Sequence, residues 1–208
     1  MLNDKQCRML ELLDQRLRKC RSCELCDNGK LLPFWSRDVK YIMIGESPTK
    51  NDVRMNRPFM GSGGNILRDE LTNAGLSSKD FLIINSVQCV PNYTQGSTKP
   101  TESQLLSCQD HLRRYIKVVN PEKIICFGNY SKYIFTGETQ GVLRQRGGFN
   151  DFDIGGGYTF PVIFSIHPAY CAYNLDGIRY MRDDILRFRD TKFERRIDWL
   201  FKEEEFLL

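Results

Sequence analysis

Val39-Lys40-Tyr41-Ile42-Met43-Ile44-Gly45, followed at once by Glu46-Ser47-Pro48, is the stretch that decides the fold. Its apolar, β-branched centre predicts a strand buried on both faces, as in a parallel sheet. The run from Glu46 to Gly64, rich in Gly, Pro, Asn and Ser, predicts a loop at the strand's carboxyl end. Asn65–Ala74 then predicts a helix that Gly75 stops. The unit recurs along the chain. Phe81–Val87 predicts a second strand, leading through a polar loop at Val90–Pro100 into a helix from Thr101 to Val119. Lys123–Gly128 predicts a third strand with a helix from Ser131, and Phe160–Ile166 a fourth. Phe149–Gly157 reads as a glycine-rich turn between short ribbon strands, and residues 176–206 as mostly helical and charged. Upstream, Met9, Leu10, Leu12, Leu13 and Leu17 fall at helical spacing. The class is therefore α/β: a three-layer α/β/α sandwich around a central four-stranded, mostly parallel sheet. The expected organisation is a single domain over residues 1–208, with the N-terminal helix 4–19 and a helical tail 186–208 as extensions.

Composition narrows the setting. The chain has 208 residues, with 30 basic and 26 acidic side chains for a net charge of +4. So small an excess permits nucleic-acid binding without arguing for it; local clustering would have to supply the surface. No apolar run reaches the ~20 residues of a membrane span, and the start, MLNDKQCRMLELL, does not read as a secretory signal. A cytoplasmic, reducing location is expected, with no disulfide framework among the eight cysteines. Cys20, Cys23 and Cys26 crowd one short segment, Cys89 follows the second strand, and Cys108 lies in the next helix. Such a set suits zinc or an iron–sulfur cluster, both of which accept four thiolates. Spacing leaves the metal open, and also whether Cys26 replaces Cys20 or Cys23. Cys7 and Cys126 read as buried small hydrophobes.

In open α/β folds ligands bind where loops leave the carboxyl ends of the strands. The polar residues there are Glu46, Asn85, Asn129 and His167. Around them lie Gly45-Glu46-Ser47-Pro48, then Arg57-Pro58-Phe59-Met60-Gly61-Ser62-Gly63-Gly64, then Asn85 with Cys89 four residues on, then His167-Pro168-Ala169-Tyr170. Together these segments resemble the family 4 uracil-DNA glycosylases, the iron–sulfur branch of that superfamily, from about residue 20 to 185. Each motif alone is weak; four motifs and four cysteines in order are specific. Two positions depart from the pattern. Thr49 replaces a glycine, where a β-carbon is expected to obstruct the backbone, and Ser62 replaces an arginine.

The resemblance implies hydrolysis of the N-glycosidic bond of deoxyuridine in DNA, as in base excision repair, with uracil-containing single- or double-stranded DNA as partner. It implies a structural 4Fe–4S cluster, in preference to zinc, on Cys20, Cys23, Cys89 and Cys108. Glu46 would position or activate water and stabilise the sugar cation, and His167 would donate to uracil O2 as charge develops there. Asn85 would accept from N3–H and donate to O4, a pattern that cytosine inverts. Phe59 would stack on the extruded ring beside Gly45. Tyr170 and Tyr173 would enter the minor groove, and Arg144 and Arg146 would touch phosphates. His111 reads as surface, and the acidic stretch Phe201–Phe206 as a solvated helix end.

Three other readings remain, the plainest being a zinc-stabilised α/β binding module. Thr49 and Ser62 slightly favour a DNA-binding or replication-associated protein that keeps the fold with weak or no turnover, whereas the presence of Glu46, Asn85, Phe59 and His167 together disfavours it. A covalent-trapping relative is disfavoured, because the loop Pro91–Thr101 lacks the histidine that such proteins use.

Overall fold

A computed structural model of the chain describes residues 1–92 and 99–193. The acidic stretch Phe201–Phe206, most of the expected tail and the centre of the loop after the second strand lie outside the described residues. The strands are β1 (Tyr41–Gly45), β2 (Phe81–Asn85), β3 (Ile124–Phe127), β4 (Phe149–Asp153) and β5 (Thr159–Ser165). The helices are α1 (Asp4–Lys19), α2 (Lys50–Met55), α3 (Ser62–Asn73), α4 (Glu102–Val119), α5 (Tyr133–Thr136), α6 (Val142–Gln145), α7 (Pro168–Cys171) and α8 (Leu175–Asp190).

The sheet order is β2-β1-β3-β5-β4, parallel except for β4, which runs antiparallel to β5. The sheet thus has five strands rather than the expected four. The extra strand is the first arm of the ribbon around Gly155–Gly157. Its sequence, Phe-Asn-Asp-Phe-Asp, has little β-propensity; pairing to β5 and the packing of Phe149 on Phe188 and Phe152 on Phe164 hold it. As an edge strand it carries exposed Asp151 and Asp153, which discourage further pairing. At the opposite edge, Leu31 and Phe34 donate backbone bonds to Gln88 and Ile83 and cover β2.

Strand side chains alternate between two cores, as a period of two requires. Ile42, Ile44, Leu82, Ile84, Ile124, Cys126 and Val162 face one side, against Leu10, Leu13 and Leu17 of α1 and Leu112, Tyr115, Ile116 and Val119 of α4. Met43, Ile83, Ile125, Phe127 and Ile163 face the other, against Leu67 and Leu71 of α3 and Met181, Ile185 and Phe188 of α8. Two helical layers therefore clamp the sheet and direct every parallel strand's carboxyl end to one rim. The expected helix from Ser131 shortens to the single turn α5, closed by Gly137 in the left-handed region. Among the described residues no helix is long and apolar enough to cross a membrane.

Lys123 is a polar member of this interior. It is 2% exposed, donates to the carbonyls of Phe188 and Thr191 at the end of α8, and lies over the Tyr41 and Phe188 rings. These bonds satisfy carbonyls that a helix end leaves without intrahelical partners.

Candidate active site at the carboxyl rim of the sheet

Gly45 and Asn85 are direct partners in the β1–β2 register. The ladder runs on past both strands, with Ser86 N–H donating to Gly45 O (2.9 Å) and Val87 N–H to Glu46 O (3.1 Å). A β-carbon on Gly45 would run into the Asn85 side-chain oxygen and come within 3.0 Å of the Phe59 ring. Glycine here lets the amide and the ring approach across β1.

Phe59 has φ +58°, in the left-handed region that bulky residues rarely adopt. Its neighbours hold it there. Arg68 donates to Phe59 O (2.8 Å), Asp52 accepts from Met60 N–H (2.6 Å), and Asn51 donates to Met60 O (2.9 Å). Asp52 is buried and closes a capping box with Thr49, whose hydroxyl donates to the Asp52 carboxylate (2.6 Å) and accepts from Asp52 N–H (3.2 Å). Thr49 has φ −91° and ψ 165°, an extended conformation open to any residue. The expected obstruction at Thr49 is therefore absent: threonine starts α2 as a good N-cap. Ser62 is exposed on the first turn of α3.

The phenylalanine loop is pressed onto the histidine loop. An added β-carbon on Gly63 would meet the Pro168 carbonyl carbon at 2.5 Å, and the Phe59 and His167 ring centroids are 6.4 Å apart. His167 caps α7: its Nδ1 accepts from Ala169 N–H (3.2 Å), so the neutral ring carries its proton on Nε2. Burial lowers its pKa from the usual 6.5, while the Glu46 carboxylate pulls the other way. The neutral imidazole therefore prevails at pH 7.

Glu46 is 5% exposed. Its Oε2 accepts from Lys99 Nζ (2.9 Å) and its Oε1 from Tyr130 N–H (3.3 Å). Gly128, at φ +96°, makes room: a β-carbon there would collide with the Glu46 carboxylate and lie 2.9 Å from His167 Cβ. Glu46 and His167 share a cleft of about 670 Å³, with Lys99, Asn129 and Ile166 on its walls. One lip carries Leu143 and Arg144; the other carries Tyr170 and Tyr173, and Tyr173 is 91% exposed. Asn129 holds the first lip by accepting from Val142 N–H (2.9 Å). Asn174 holds the second, donating to Tyr170 Oη (2.7 Å) while capping α8.

Glu46 and His167 line the cleft together; Asn85 and Phe59 adjoin them at the same rim through Gly45 but do not line it, and Phe59 instead lines a separate hollow with Phe34, Met43 and Leu67. Arg146 is a correction. Its guanidinium spends its donors on buried Asp184 (2.7 and 2.9 Å) and the Tyr180 carbonyl, and lies over the Tyr180 ring. Ser165 completes this cluster by donating to Asp184 (2.7 Å). Arg146 serves the interior through Nε and one terminal nitrogen, whereas Arg144 is exposed at the cleft. His111, expected at the surface, is half-buried on α4, and burial lowers its pKa. Lys99 was not anticipated; no local pattern marks it.

The cysteines form a second locus behind the loops. Cys89 and Cys108 are each 5% exposed, among Leu25, Val87, Leu105 and Tyr133 with Cys23 alongside. Burial pushes the Cys89 thiol up to about 12 and raises that of Cys108, and both also feel Cys20 and Cys23. These four sulfurs are therefore electrostatic neighbours. Cys26 instead contacts Arg21 (3.8 Å) and Asp27 (3.5 Å). Among the described residues no three metal-ligating side chains are drawn to within ligating distance. As a donor set, free thiols fit a thiophilic group; Cys89 and Cys108 are buried in the apolar cluster, whereas Cys20 and Cys23 are half-buried, Cys23 at its margin.

The comparisons with known proteins bear on this geometry. The model of the uracil DNA glycosylase superfamily matches residues 32–199, and the chain belongs to that superfamily. It is 30% identical over 189 residues to a type-4 uracil-DNA glycosylase of Saccharolobus solfataricus, covering 88% of this chain and 86% of that protein. It is 28% identical to the type-4 enzyme of Thermotoga maritima (80% and 84% covered) and 27% to that of Archaeoglobus fulgidus (79% and 85%).

Two outcomes follow. Arg146→Ala strands a buried carboxylate, so urea unfolding should show a loss of about 3 kcal/mol or more; a loss within about 0.5 kcal/mol contradicts the structural role. In NMR titrations the His167 ring should titrate below pH 6.5, and lower still in Glu46→Gln, which removes the charge that raises it.

Proposed function

We infer that this chain is a uracil-DNA glycosylase acting in DNA base repair. The observation that carries the inference is the convergence of a buried carboxylate, a buried amide, a constrained aromatic ring and a neutral imidazole at one rim of a superfamily fold.

The chemistry runs as follows. A base must leave the duplex stack before it can be held, at a few kcal/mol, less at a mismatch. Exposed Tyr173, with Tyr170 behind it, is placed to fill the gap, and Arg144 on the facing lip to contact a phosphate. The extruded pyrimidine then enters beside Gly45. Phe59 stacks on its face, worth roughly 1–3 kcal/mol. The Asn85 amide accepts from N3–H and donates to O4. Cytosine would leave both buried groups unpaired, and that is a strong discrimination. As the bond from C1′ to N1 breaks, its electron pair moves into the base and positive charge builds on the sugar. The Nε2–H of His167 stabilises the negative charge at O2, and the Glu46 carboxylate stabilises the sugar and takes a proton from the attacking water. Proton transfer to a positioned base typically contributes about 10²–10⁴ in rate, and a preorganised donor to developing charge about 10²–10³.

Cys20, Cys23, Cys89 and Cys108 would hold a 4Fe–4S cluster. When bound, the cluster supplies a cross-link between the segment after α1, the exit of β2 and α4, and no part of the excision chemistry. The type-4 names of the relatives and the four neighbouring thiols support this assignment.

Incubation with a uracil-containing oligonucleotide followed by alkali should cleave the strand at uracil, and not at cytosine or thymine. Glu46→Ala and Asn85→Ala should each lower the rate at least tenfold; wild-type rates in both would overturn the site assignment. The purified protein should be brown, with visible absorbance and bound iron, both lost in Cys108→Ser. A colourless, zinc-bearing protein would contradict the cluster.

A further inference from the structure

Lys99 belongs to the cleft but to none of the roles above. Its side chain is 52% exposed, and its ammonium lies 2.9 Å from Oε2 of Glu46, whose side chain is 6% exposed. An ion pair between two exposed groups contributes little. This pair differs because one partner is buried and cannot recover water if the other is lost.

The second oxygen, Oε1, is held by Tyr130 N–H at 3.3 Å. The two donors therefore take one oxygen each and fix the plane of the carboxylate. A carboxylate has about four acceptor positions, so positions remain for a water on the cleft side. The donors also brace each other, since Lys99 Nζ lies 5.5 Å over the Tyr130 ring. Lys99 is itself anchored. Pro100 after it is buried, and Thr101 caps α4 through a capping box with Gln104. The charged and titratable groups around Glu46 are Lys99, from the approach to α4, and His167, from the end of β5; Asp52 at the start of α2 acts on the same histidine.

We propose that Lys99 is a positioning residue for the excision reaction, holding the plane of the Glu46 carboxylate so that it faces a water in the cleft. The proposal rests on the role given to Glu46 above. Single-turnover excision of uracil by the full chain tests it, with the rate constant, the half-saturating enzyme concentration and the salt dependence measured for each variant. Lys99→Met should lower the rate constant at least tenfold while changing half-saturation by about twofold or less. Lys99→Arg should recover most of the rate. Circular dichroism and thermal unfolding establish that each variant is folded, and Lys99→Gln serves where the methionine variant is not. A weaker half-saturation with an unchanged rate constant and a shallower salt dependence would make Lys99 a phosphate contact and overturn the proposal. A Lys99→Arg variant as slow as Lys99→Met would overturn it as well. Failure of the wild-type chain to excise uracil would be a different result: it would remove the glycosylase reading itself.

Discussion

A carboxylate buried at the end of a central strand must be paired, and the architecture of this rim follows from that need. An unpaired buried charge costs several kcal/mol. Glu46 meets the requirement with one ammonium and one backbone N–H, from Lys99 and Tyr130. Tyr130 follows β3 and Lys99 precedes α4, so the pairing is possible only because β1 lies beside β3 in the sheet. Gly128 then has to lack a side chain, because the carboxylate occupies the place of a β-carbon. A residue whose local sequence reads as a loop is thereby tied to three elements of the fold.

The rest of the site is assembled by close backbone approach. Gly45 admits Asn85 and Phe59 across the end of β1, and Gly63 lets the phenylalanine loop rest on the Pro168–Ala169 peptide. The left-handed backbone of Phe59 is held by Arg68 and by the Asp52–Thr49 capping box. The energy that tolerates this conformation comes from outside the residue itself, as is usual where a constrained backbone serves a binding site. The imidazole is fixed by the same economy: Ala169 N–H occupies Nδ1 and leaves the ring proton on Nε2. The polar groups of the cleft are thus set before any base arrives, and preorganisation is what makes such groups effective.

What was legible in the sequence was local. Ile42, Met43 and Ile44 announce a buried strand in three residues, and helix α1 shows its apolar stripe openly. Strand β4 was legible as one arm of a ribbon but not as a member of the sheet, because Asn150, Asp151 and Asp153 belong to an exposed edge, where pairing rather than composition makes the strand. Glu46, Asn85, Phe59 and His167 were legible through their motifs, not through spacing, since nothing local brings four distant segments together. Thr49 misled, because a glycine in relatives suggested a positive φ where the backbone is extended. Arg146 misled in the same way: beside Arg144 it looks like a phosphate contact, but its partner Asp184 lies on α8 and could not be foreseen from charge alone. Lys99 was invisible for a like reason, its ion pair joining positions 53 residues apart.

The central claim is that one pyrimidine touches the amide, the ring and the imidazole together. Titration of free uracil into the isotopically labelled protein, followed by NMR, reads those contacts without catalysis. Uracil should shift the Asn85 side-chain amide, the Phe59 ring and the His167 ring along one common binding curve, while cytosine at the same concentration leaves them in place. Uracil that binds and moves none of the three, or moves them along separate curves, would contradict the account.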